Sequence, residues 1–293
     1  MKKPRVKKGP DVRIGFHTSI AGGVSKALER ADELGCRTMQ IFTHSPRQWA
    51  RTAISEEEIK RFRDLRSELD ITPVFSHTSY LINLASRSDD LLSRSIDFLS
   101  YEMDNAEKLG IEYVVLHTGS ASGDDEKKAR KRAARAISKA LGKRKYRARL
   151  LLENTAGQKG DITSSVAALA EIAEQCTSDG IGGICIDTCH AFAAGYDLRK
   201  KGGVEQLLEE VNAHFGDEGL RLVHLNDCKR PYGSGVDRHE HIGKGTIGSR
   251  GFRNLLSDQR IRKVPLVMET PKATDEDDRM NLKKVKGILA SIR

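Results

Sequence analysis

The chain has 293 residues, of which 38% are hydrophobic and 31% charged, and its 50 Lys and Arg against 41 Asp and Glu give a formal net charge of +9. This composition supports a sizeable buried core and does not favour a disordered chain. No segment approaches the run of about 18 apolar residues that a membrane helix requires, and no signal-peptide pattern follows the basic first residues. We therefore expect a cytoplasmic protein without a membrane segment, whose five cysteines, an odd number, favour reduced thiols.

Positive charge is concentrated in two stretches. Residues 1–11 are predicted to form a basic N-terminal arm ahead of a single domain over residues 12–293. Residues 127–149 hold twelve basic residues and no acidic one. Such a cluster attracts polyanions such as nucleic acid, although a charge run on its own is more often a solvated helix face.

Short apolar segments recur along the whole chain and are predicted to be strands. There are eight, at residues 13–17, 38–43, 72–77, 113–117, 149–155, 183–188, 221–227 and 265–270. Their nearly continuous apolar character is typical of parallel strands that are buried on both faces.

Amphipathic segments with helix-start signals lie between these strands. Ser55 and Glu58 form the pattern of a capping box ahead of an apolar stripe. Ser88 opens a second stripe, which Gly110 ends, and a third stripe covers residues 166–173.

Eight strands that alternate with helices predict an α/β fold, a single-domain (β/α)8 TIM barrel. An open, doubly wound parallel sheet is the competing fold. The alternation lapses only over residues 228–250, a Gly-rich and charged segment, and a loop of that length inside a compact domain is usually functional.

Polar side chains end seven of the eight predicted strands, and in a barrel these ends form the active-site face. They are His17, His77, His117, Glu153, Asp187, His224 and Glu269. The long loop adds Asp237 and His239, and His190 follows Asp187 by three residues. A single histidine at a strand end is more often a structural residue, but converging imidazoles and carboxylates indicate divalent transition metals. The surplus of candidates over what one ion needs predicts a multinuclear metal cluster at the C-terminal face.

The stretch "CIDTCHAFAAGYD", residues 185–197, mixes possible metal ligands with two thiols. Strand alternation places Cys185 and Asp187 on the barrel interior, while Ile184 and Ile186 face the helices. No second pair of cysteines at zinc-ribbon spacing exists, so Cys185 and Cys189 are predicted to be packing residues.

Six motifs, in this order and spread over most of the chain, resemble the endonuclease IV family. They are "HTSYLINLA" (77–85), "LENTAGQ" (152–158), "CIDTCHAFAAGYD" (185–197), "HLNDCK" (224–229), "VDRH" (236–239) and "LVMETP" (266–271). The segments "GFHTSIAGG" (15–23) and "FTHSPRQW" (42–49) are also similar to that family. Its members are metal-dependent apurinic/apyrimidinic endonucleases of base-excision repair.

The resemblance implies a TIM barrel that carries three zinc ions, with manganese possible at part of the site. The implied ligands are His77, His117, Glu153, Asp187, His190, His224, Asp237, His239 and Glu269. Glu153 matches the residue that bridges two ions, and Asp237 and His239 join His190 on the third. Arg47 and Tyr80 match residues that the family inserts into DNA at the lesion.

The implied activity is hydrolysis of the phosphodiester 5′ to an abasic site in duplex DNA, which leaves a 3′-hydroxyl and a 5′-deoxyribose phosphate. Zinc would activate the attacking water and stabilise the departing oxygen. Glu153 would orient the nucleophile and Glu269 would align it, so these two are the predicted catalytic residues. The base-free sugar would be flipped into a pocket too small for a normal nucleotide. A monomer acting on abasic duplex DNA is expected.

Two other functions remain open at this point. A sugar isomerase or epimerase of the xylose-isomerase-like group also places Glu, Asp and His on metals at strand ends, but with one or two ions. A non-catalytic nucleic-acid binder would keep the barrel without a complete ligand set.

Among the residues outside the implied ligands, Trp49 is predicted to be packing, and His17 a partner of a ligand or a phosphate contact. The remaining histidines are predicted to lie on the surface or behind ligands: His44, His214 and His241.

Overall fold

A computed structural model describes residues 12–292, so the basic arm predicted for residues 1–11 lies outside the described residues. The strands in chain order are β1 (Ile14–Phe16), β2 (Met39–Ile41), β3 (Val74–His77), β4 (Tyr113–Leu116), β5 (Arg149–Glu153), β6 (Ile181–Asp187), β7 (Leu220–His224), β8 (Asp227–Cys228), β9 (His239–Glu240) and β10 (Leu266–Met268). All eight predicted strands overlap a strand of one parallel sheet, whose order is β1-β10-β7-β6-β5-β4-β3-β2.

The two ends of this sheet meet, and the barrel closes. His17 and Gln40 form a parallel bridge between the chain after β1 and strand β2. The backbone N–H of Thr18 donates to the carbonyl of Gln40 at 2.8 Å, and that of Arg37 donates to Ile14 at 3.0 Å. The (β/α)8 prediction is therefore confirmed, and the open doubly wound sheet is excluded.

Helices surround the barrel. They are α1 (Val24–Leu34), α2 (Glu56–Leu69), α3 (Asp89–Leu109), α4 (Glu126–Leu141), α5 (Val166–Gln175), α6 (Thr188–Ala194), α7 (Lys201–Phe215), α8 (Gly248–Ser257), α9 (Gln259–Arg262) and α10 (Asp275–Ile292). No described helix combines the length and apolar character needed to cross a membrane. The predicted long loop over residues 228–250 contains β9, which pairs with β8 as a small antiparallel hairpin.

The predicted helix starts are observed, with one difference. The side chains of Ser55 and Ser88 cap α2 and α3 by accepting from Glu58 N–H and Leu91 N–H, and Gly110 ends α3 in the left-handed conformation. The carboxylate of Glu58, however, accepts from Ser25 N–H at 2.7 Å. It therefore stabilises the start of α1, and this contact ties two helices that follow different strands.

The apolar residues form two layers. The inner layer fills the barrel and consists of Phe75, Val115, Leu151, Cys185, Leu222 and Val267, all fully buried. The outer layer lies between strands and helices and includes Ile184 and Ile186. This division confirms the side-chain directions predicted for β6, which point Cys185 inward.

Gly15 in β1 is required by the seam between β1 and β2. A Cβ added there would lie 1.8 Å from the carbonyl oxygen of Thr38, a backbone atom that cannot move without separating the strands. We expect Gly15→Ala to lower the free energy of unfolding by on the order of 3 kcal/mol, measured by chemical denaturation.

Gly287 provides the matched control for that substitution. It lies in α10, and an added Cβ there meets no atom within 4 Å. Gly287→Ala should raise stability by about 0.5–1 kcal/mol, because alanine loses less conformational freedom in a helix than glycine does. Equal effects of the two substitutions would contradict a packing restriction at Gly15.

Candidate metal centre

Glu153, at the end of β5, lies at the centre of the C-terminal face and is fully buried. Three imidazole nitrogens lie within 3.2 Å of its carboxylate oxygens: His77 Nε2 at 3.2 Å, His117 Nε2 at 3.1 Å and His224 Nδ1 at 2.9 Å. The first two face Glu153 Oε2 and the third faces Oε1. The carboxylate thus lies between two separate groups of histidines.

A second group of side chains adjoins the first around Asp237, in the loop before β9. Asp237 Oδ2 lies 3.2 Å from His190 Nε2, and Oδ1 lies 3.2 Å from His239 Nε2. His239 Nε2 also lies 3.5 Å from Asp187 Oδ2. Candidate ligand atoms of Asp187, His190 and His239 all lie within 4.8 Å of one another, as do those of the group formed by His77, His117 and Glu153.

The end of β6 positions two of these residues by helix capping. Asp187 is the last residue of β6 and the N-cap of α6, and its Oδ1 accepts from the backbone N–H of His190 at 2.8 Å. Its other oxygen, Oδ2, accepts from Asn226 Nδ2 at 2.6 Å. The tight strand-to-helix transition therefore directs Asp187 and His190 towards the same cavity from successive elements.

The loop that carries Asp237 and His239 is held by a buried carboxylate. Asp227 in β8 accepts from the backbone N–H groups of Gly243, Gly245 and Ile247 at 2.9–3.0 Å. Three such bonds fix the segment after β9 against the barrel, and β9 pairs with β8. The backbone that carries Asp237 and His239 is therefore held in place beside the barrel.

Four of the histidines share one pattern of hydrogen bonds. One ring nitrogen of each donates away from the site to an oxygen: His77 to Thr78 O at 2.8 Å, His190 to Asn154 O at 2.9 Å, His224 to Gln40 Oε1 at 2.8 Å and His239 to Glu269 O at 3.1 Å. The other ring nitrogen then faces a carboxylate. A neutral imidazole cannot donate from both nitrogens, so each inward contact requires either an added proton or a metal ion.

The charges of the site also favour a bound cation or added protons. Burial opposes the charged form of His190, but the neighbouring Asp187 and the hydrogen bond with Asp237 outweigh burial and raise its pKa to about 10. Burial also opposes ionisation of Glu153, yet His117 and His224 hold its pKa well below the ordinary value. The carboxylates thus create a strongly negative site that favours cations. Buried His239 Nε2 has no hydrogen-bond partner among the described residues, which fits a nitrogen directed at a bound ion.

Gln40 in β2 is absent from the predicted site residues, yet it contacts three of them. Its Oε1 accepts from His224 Nε2, and its Nε2 donates to Glu269 Oε1 at 2.7 Å and to His17 Nδ1 at 2.9 Å. The amide therefore directs His224 Nδ1 towards Glu153 and fixes Glu269. His17, predicted as either a ligand partner or a phosphate contact, lies behind Glu269. A lone amide inside the apolar segment at residues 38–43 is the signal that could have identified Gln40.

The thiols of Cys185 and Cys189, beside the site, both have a pKa raised above the ordinary value. Burial raises the pKa of the Cys185 thiol to about 12, so this residue packs the barrel interior as predicted. Cys189 is predicted to pack as well. It is fully buried, but its Sγ lies 4.0 Å from Asp237 Oδ1, closer to the site than a packing role requires. A hydrogen bond with Cys228 and burial raise its pKa above that of an ordinary thiol, which disfavours a thiolate ligand.

The loop after β2 and the loop after β3 are joined beneath the surface by Glu102 of α3. This carboxylate is fully buried, and it lies 2.6 Å from His44 Nε2 and accepts from Ser79 N–H at 3.0 Å. Ser79 Oγ in turn donates to the carbonyl of Pro46 at 2.7 Å. His44 is thus not a surface residue. We call Glu102, His44 and Ser79 the loop clamp.

Arg47 and Tyr80 directly follow residues held by this clamp. Arg47 comes after Pro46, and Tyr80 comes after Ser79. Tyr80 is 65% exposed, and its ring lies edge-on to Phe42 with the ring centroids 5.4 Å apart. Trp49, in the same loop as Arg47, packs edge-on against Phe98, as predicted for a packing residue.

The closed barrel and the cluster of imidazoles and carboxylates at its C-terminal face define a TIM-barrel protein with a candidate metal centre. Comparison with known families agrees with this class. A family model described as xylose isomerase-like TIM barrel matches residues 28–290. The proteins named probable endonuclease 4 from Halothermothrix orenii and Methanoculleus marisnigri are 39% and 41% identical, over 92% and 94% of this chain and 98% and 99% of their own length. The chain belongs to the endonuclease IV family, whose members are metal-dependent AP endonucleases.

Solved structures separate the family from the fold. Endonuclease IV from Thermus thermophilus has a TM-score of 0.84 and 36% identity, covering 95% of this chain and 99% of that chain. A D-tagatose 3-epimerase-like protein has a TM-score of 0.72 at 20% identity over 95% of this chain and 98% of its own. The second likeness concerns the barrel alone.

Gln40→Leu should weaken metal binding while the fold persists. Leucine has a similar size but cannot orient His224 or Glu269, and loss of such an outer hydrogen bond typically lowers metal affinity by about 10–100-fold. Competition with a zinc-binding dye would measure the change. Gln206→Leu is the control, because Gln206 is an exposed amide on α7 that bonds only to Glu210 among the described residues. Equal affinity of both variants would show that Gln40 does not orient the ligands.

Proposed function

We propose that this chain hydrolyses the phosphodiester bond 5′ to an abasic site in duplex DNA and leaves a 3′-hydroxyl and a 5′-deoxyribose phosphate. The observation that carries the proposal is the shared pattern of His77, His190, His224 and His239, each donating outwards and facing a carboxylate inwards. Proteins present imidazoles to divalent metals in this way. Relatives that are about 40% identical and named probable endonuclease 4 support the choice of substrate.

The metal centre that we propose holds three zinc ions, with manganese as a substitute at part of it. The nine proposed ligands are His77, His117, Glu153, Asp187, His190, His224, Asp237, His239 and Glu269. Their spacing supports more than one ion, because the candidate ligand atoms fall into several overlapping groups that share Glu153, Asp187 or His239. Bound divalent metals would supply Lewis-acid stabilisation of phosphate oxygens and a lowered pKa of water.

Glu153 and Glu269 are the proposed catalytic residues. The two oxygens of Glu153 face different groups of histidines, an arrangement suited to a bridging carboxylate that orients the attacking water. Glu269 Oε1 is held by Gln40, while the side chain as a whole is 20% exposed at the mouth of the barrel. Burial opposes its ionisation, but the neighbouring His224 keeps its pKa well below the ordinary value. It therefore stays anionic and aligns the water by accepting a hydrogen bond.

Arg47 and Tyr80 are proposed to enter the duplex at the lesion. Among the described residues, only Tyr80 and Tyr232 are large apolar side chains with high exposure. A ring exposed to this extent beside a buried catalytic cavity suits insertion into a base stack. An abasic nucleotide resists such insertion least, because no base pair has to be broken.

Incision of a duplex that contains a single tetrahydrofuran abasic analogue tests the function. Metal-loaded protein should cut 5′ to the analogue, and a chelator should abolish the cut because it removes the cations that activate water. Absence of incision by loaded protein would overturn the proposal. Elemental analysis should find about three metal equivalents, as a multinuclear site requires, whereas one equivalent would favour a sugar isomerase or epimerase.

Glu153→Gln is the matching loss-of-function variant. The amide keeps the size of the side chain but loses the charge that attracts cations to both groups of histidines. Incision should fall to the level of the chelated enzyme, while binding to abasic DNA, measured by fluorescence anisotropy, should persist. Unchanged turnover would remove Glu153 from the site. If the unmodified protein cuts abasic DNA and the variant only binds it, the protein is an endonuclease and not a non-catalytic binder.

Glu102→Gln tests whether the loop clamp positions the proposed DNA contacts. Loss of the charge weakens the bond to His44, and a charge-assisted hydrogen bond contributes about 1.5 kcal/mol, so KM for abasic duplex should rise roughly tenfold. A 2-aminopurine base beside the lesion should become less fluorescent in the complex, because insertion is less complete. Metal content should not change.

Glu107→Gln is the control for the clamp variant. Glu107 is also on α3, but it bonds to Arg147 at the far end of the barrel. The Glu107→Gln substitution should leave both KM and the fluorescence signal at their original values. A similar loss in the two variants would assign the effect to a general weakening of α3.

We further propose that the chain acts as a cytoplasmic monomer. The scarcity of large exposed apolar side chains among residues 12–292 supports a monomer, since stable dimer interfaces have an apolar centre. The five cysteines are all free thiols, and four of them are buried, which suits a reducing compartment.

A further inference from the structure

The basic run at residues 127–149 divides into paired and unpaired cations. Five of its twelve basic residues form ion pairs: Arg130 with Glu126 and Glu171, Arg132 with Asp124, Lys143 with Asp97, Arg144 with Asp104, and Arg147 with Glu107. Four of these six contacts tie α4 and the segment after it to α3 and α5. Each of these five cations therefore has a carboxylate partner within the fold.

Four unpaired cations lie along one face of α4. Lys128, Lys131, Arg135 and Lys139 are exposed, and none forms an ion pair within the described part of the chain. Together with Arg132 they line a groove of about 610 Å³ between α3 and α4. We call it the α3–α4 groove. At 1.5 Å per helical residue the four cations span about 16 Å, which is the axial rise of about five base pairs of B-DNA.

The α3–α4 groove begins near the catalytic face. Helix α4 follows β4, and the residue after β4 is His117, so Lys128 lies towards the same end of the barrel as the proposed metal centre. Arg132 donates from Nε to the carbonyl of Ala85 at 2.9 Å, in the loop that carries Tyr80. The groove therefore continues from the loop proposed to contact the lesion and runs down the outer wall.

We propose that the α3–α4 groove binds the sugar–phosphate backbone of duplex DNA beyond the abasic site, an inference that rests on the proposed function. A row of three lysines and one arginine that form no ion pair among the described residues complements a row of phosphates, and it reads no sequence. The floor of the groove disfavours an acidic peptide with apolar anchors, because Ile96 and Ala136 are buried and only Leu92 is partly exposed. The groove thereby adds salt-dependent affinity for long DNA without a role in bond cleavage.

The test compares two variants that each lose three lysines and one arginine. The groove variant carries Lys128→Gln, Lys131→Gln, Arg135→Gln and Lys139→Gln. The control variant carries Arg253→Gln, Lys263→Gln, Lys283→Gln and Lys286→Gln, whose side chains are exposed on and around α8 and α10. Helix α10 follows β10, which is four strands from β4 in the ring, so the control charges lie on the opposite wall.

Affinity for an undamaged duplex of about 40 base pairs, roughly 140 Å long, would be measured by fluorescence anisotropy over a range of salt concentrations. Each lost phosphate contact reduces the magnitude of the slope of log K against log salt by about 0.9, so the loss of four cations should reduce it by about 3.6. The control variant should keep the original slope. Thermal melts should be the same for both, because none of the eight side chains has an ion pair to lose among the described residues.

Incision of a short abasic duplex of about 12 base pairs, roughly 40 Å long, separates this proposal from the proposed function. The groove variant should cut it at the original rate, since the short duplex is covered by the catalytic face. An unchanged slope, or an equal change in the control variant, overturns the groove proposal. Absence of incision by the unmodified protein overturns the proposed function and leaves the slope measurement valid.

Discussion

Burial of the Glu153 carboxylate at the centre of the barrel mouth is the constraint on which the rest of the site depends. A carboxylate that is fully buried costs several kcal/mol unless cations or hydrogen-bond donors surround it. The barrel meets this requirement by ending β3, β4 and β7 at or beside histidines that face Glu153. The parallel strands converge there, so residues that are distant in the chain share one small, strongly negative site.

The polar layer behind this site fixes its geometry. Asn154 illustrates the principle, since its backbone carbonyl accepts from His190 while its side chain bonds to the backbone N–H of Asp187. Gln40 does the same for His224 and Glu269 from the opposite side of the barrel. His190 and His224 are thereby each held in one orientation by the protein itself. Such preorganisation lowers the cost of binding cations in the site.

Outside the barrel mouth, some charged side chains form contacts within the fold and others remain unpaired. Buried Glu102 uses its charge internally and thereby joins the two loops proposed to contact the lesion. Along α4, cations are either neutralised by neighbouring carboxylates or left facing solvent. Structural charges and the charges proposed to bind DNA therefore share one helix. The proposed contact at the lesion depends on the carboxylate of Glu102, which joins the two loops. The proposed contact along the outer wall depends on four cations of α4 that have no carboxylate within ion-pair distance among the described residues.

The amino-acid sequence alone determined the eight strands, the helix starts at Ser55 and Ser88, and the inward direction of Cys185, because periodicity and capping depend on near neighbours in the chain. It also placed the candidate ligands at strand ends. Only the tertiary structure revealed Gln40, which contacts Glu269 across 229 positions of sequence, and Glu102, one of many helical glutamates until its contacts are seen. It alone separated the paired from the unpaired cations of the basic run. Partners brought together by barrel closure leave no periodic signal, so the chemistry of a side chain is decided by neighbours that the linear order does not specify.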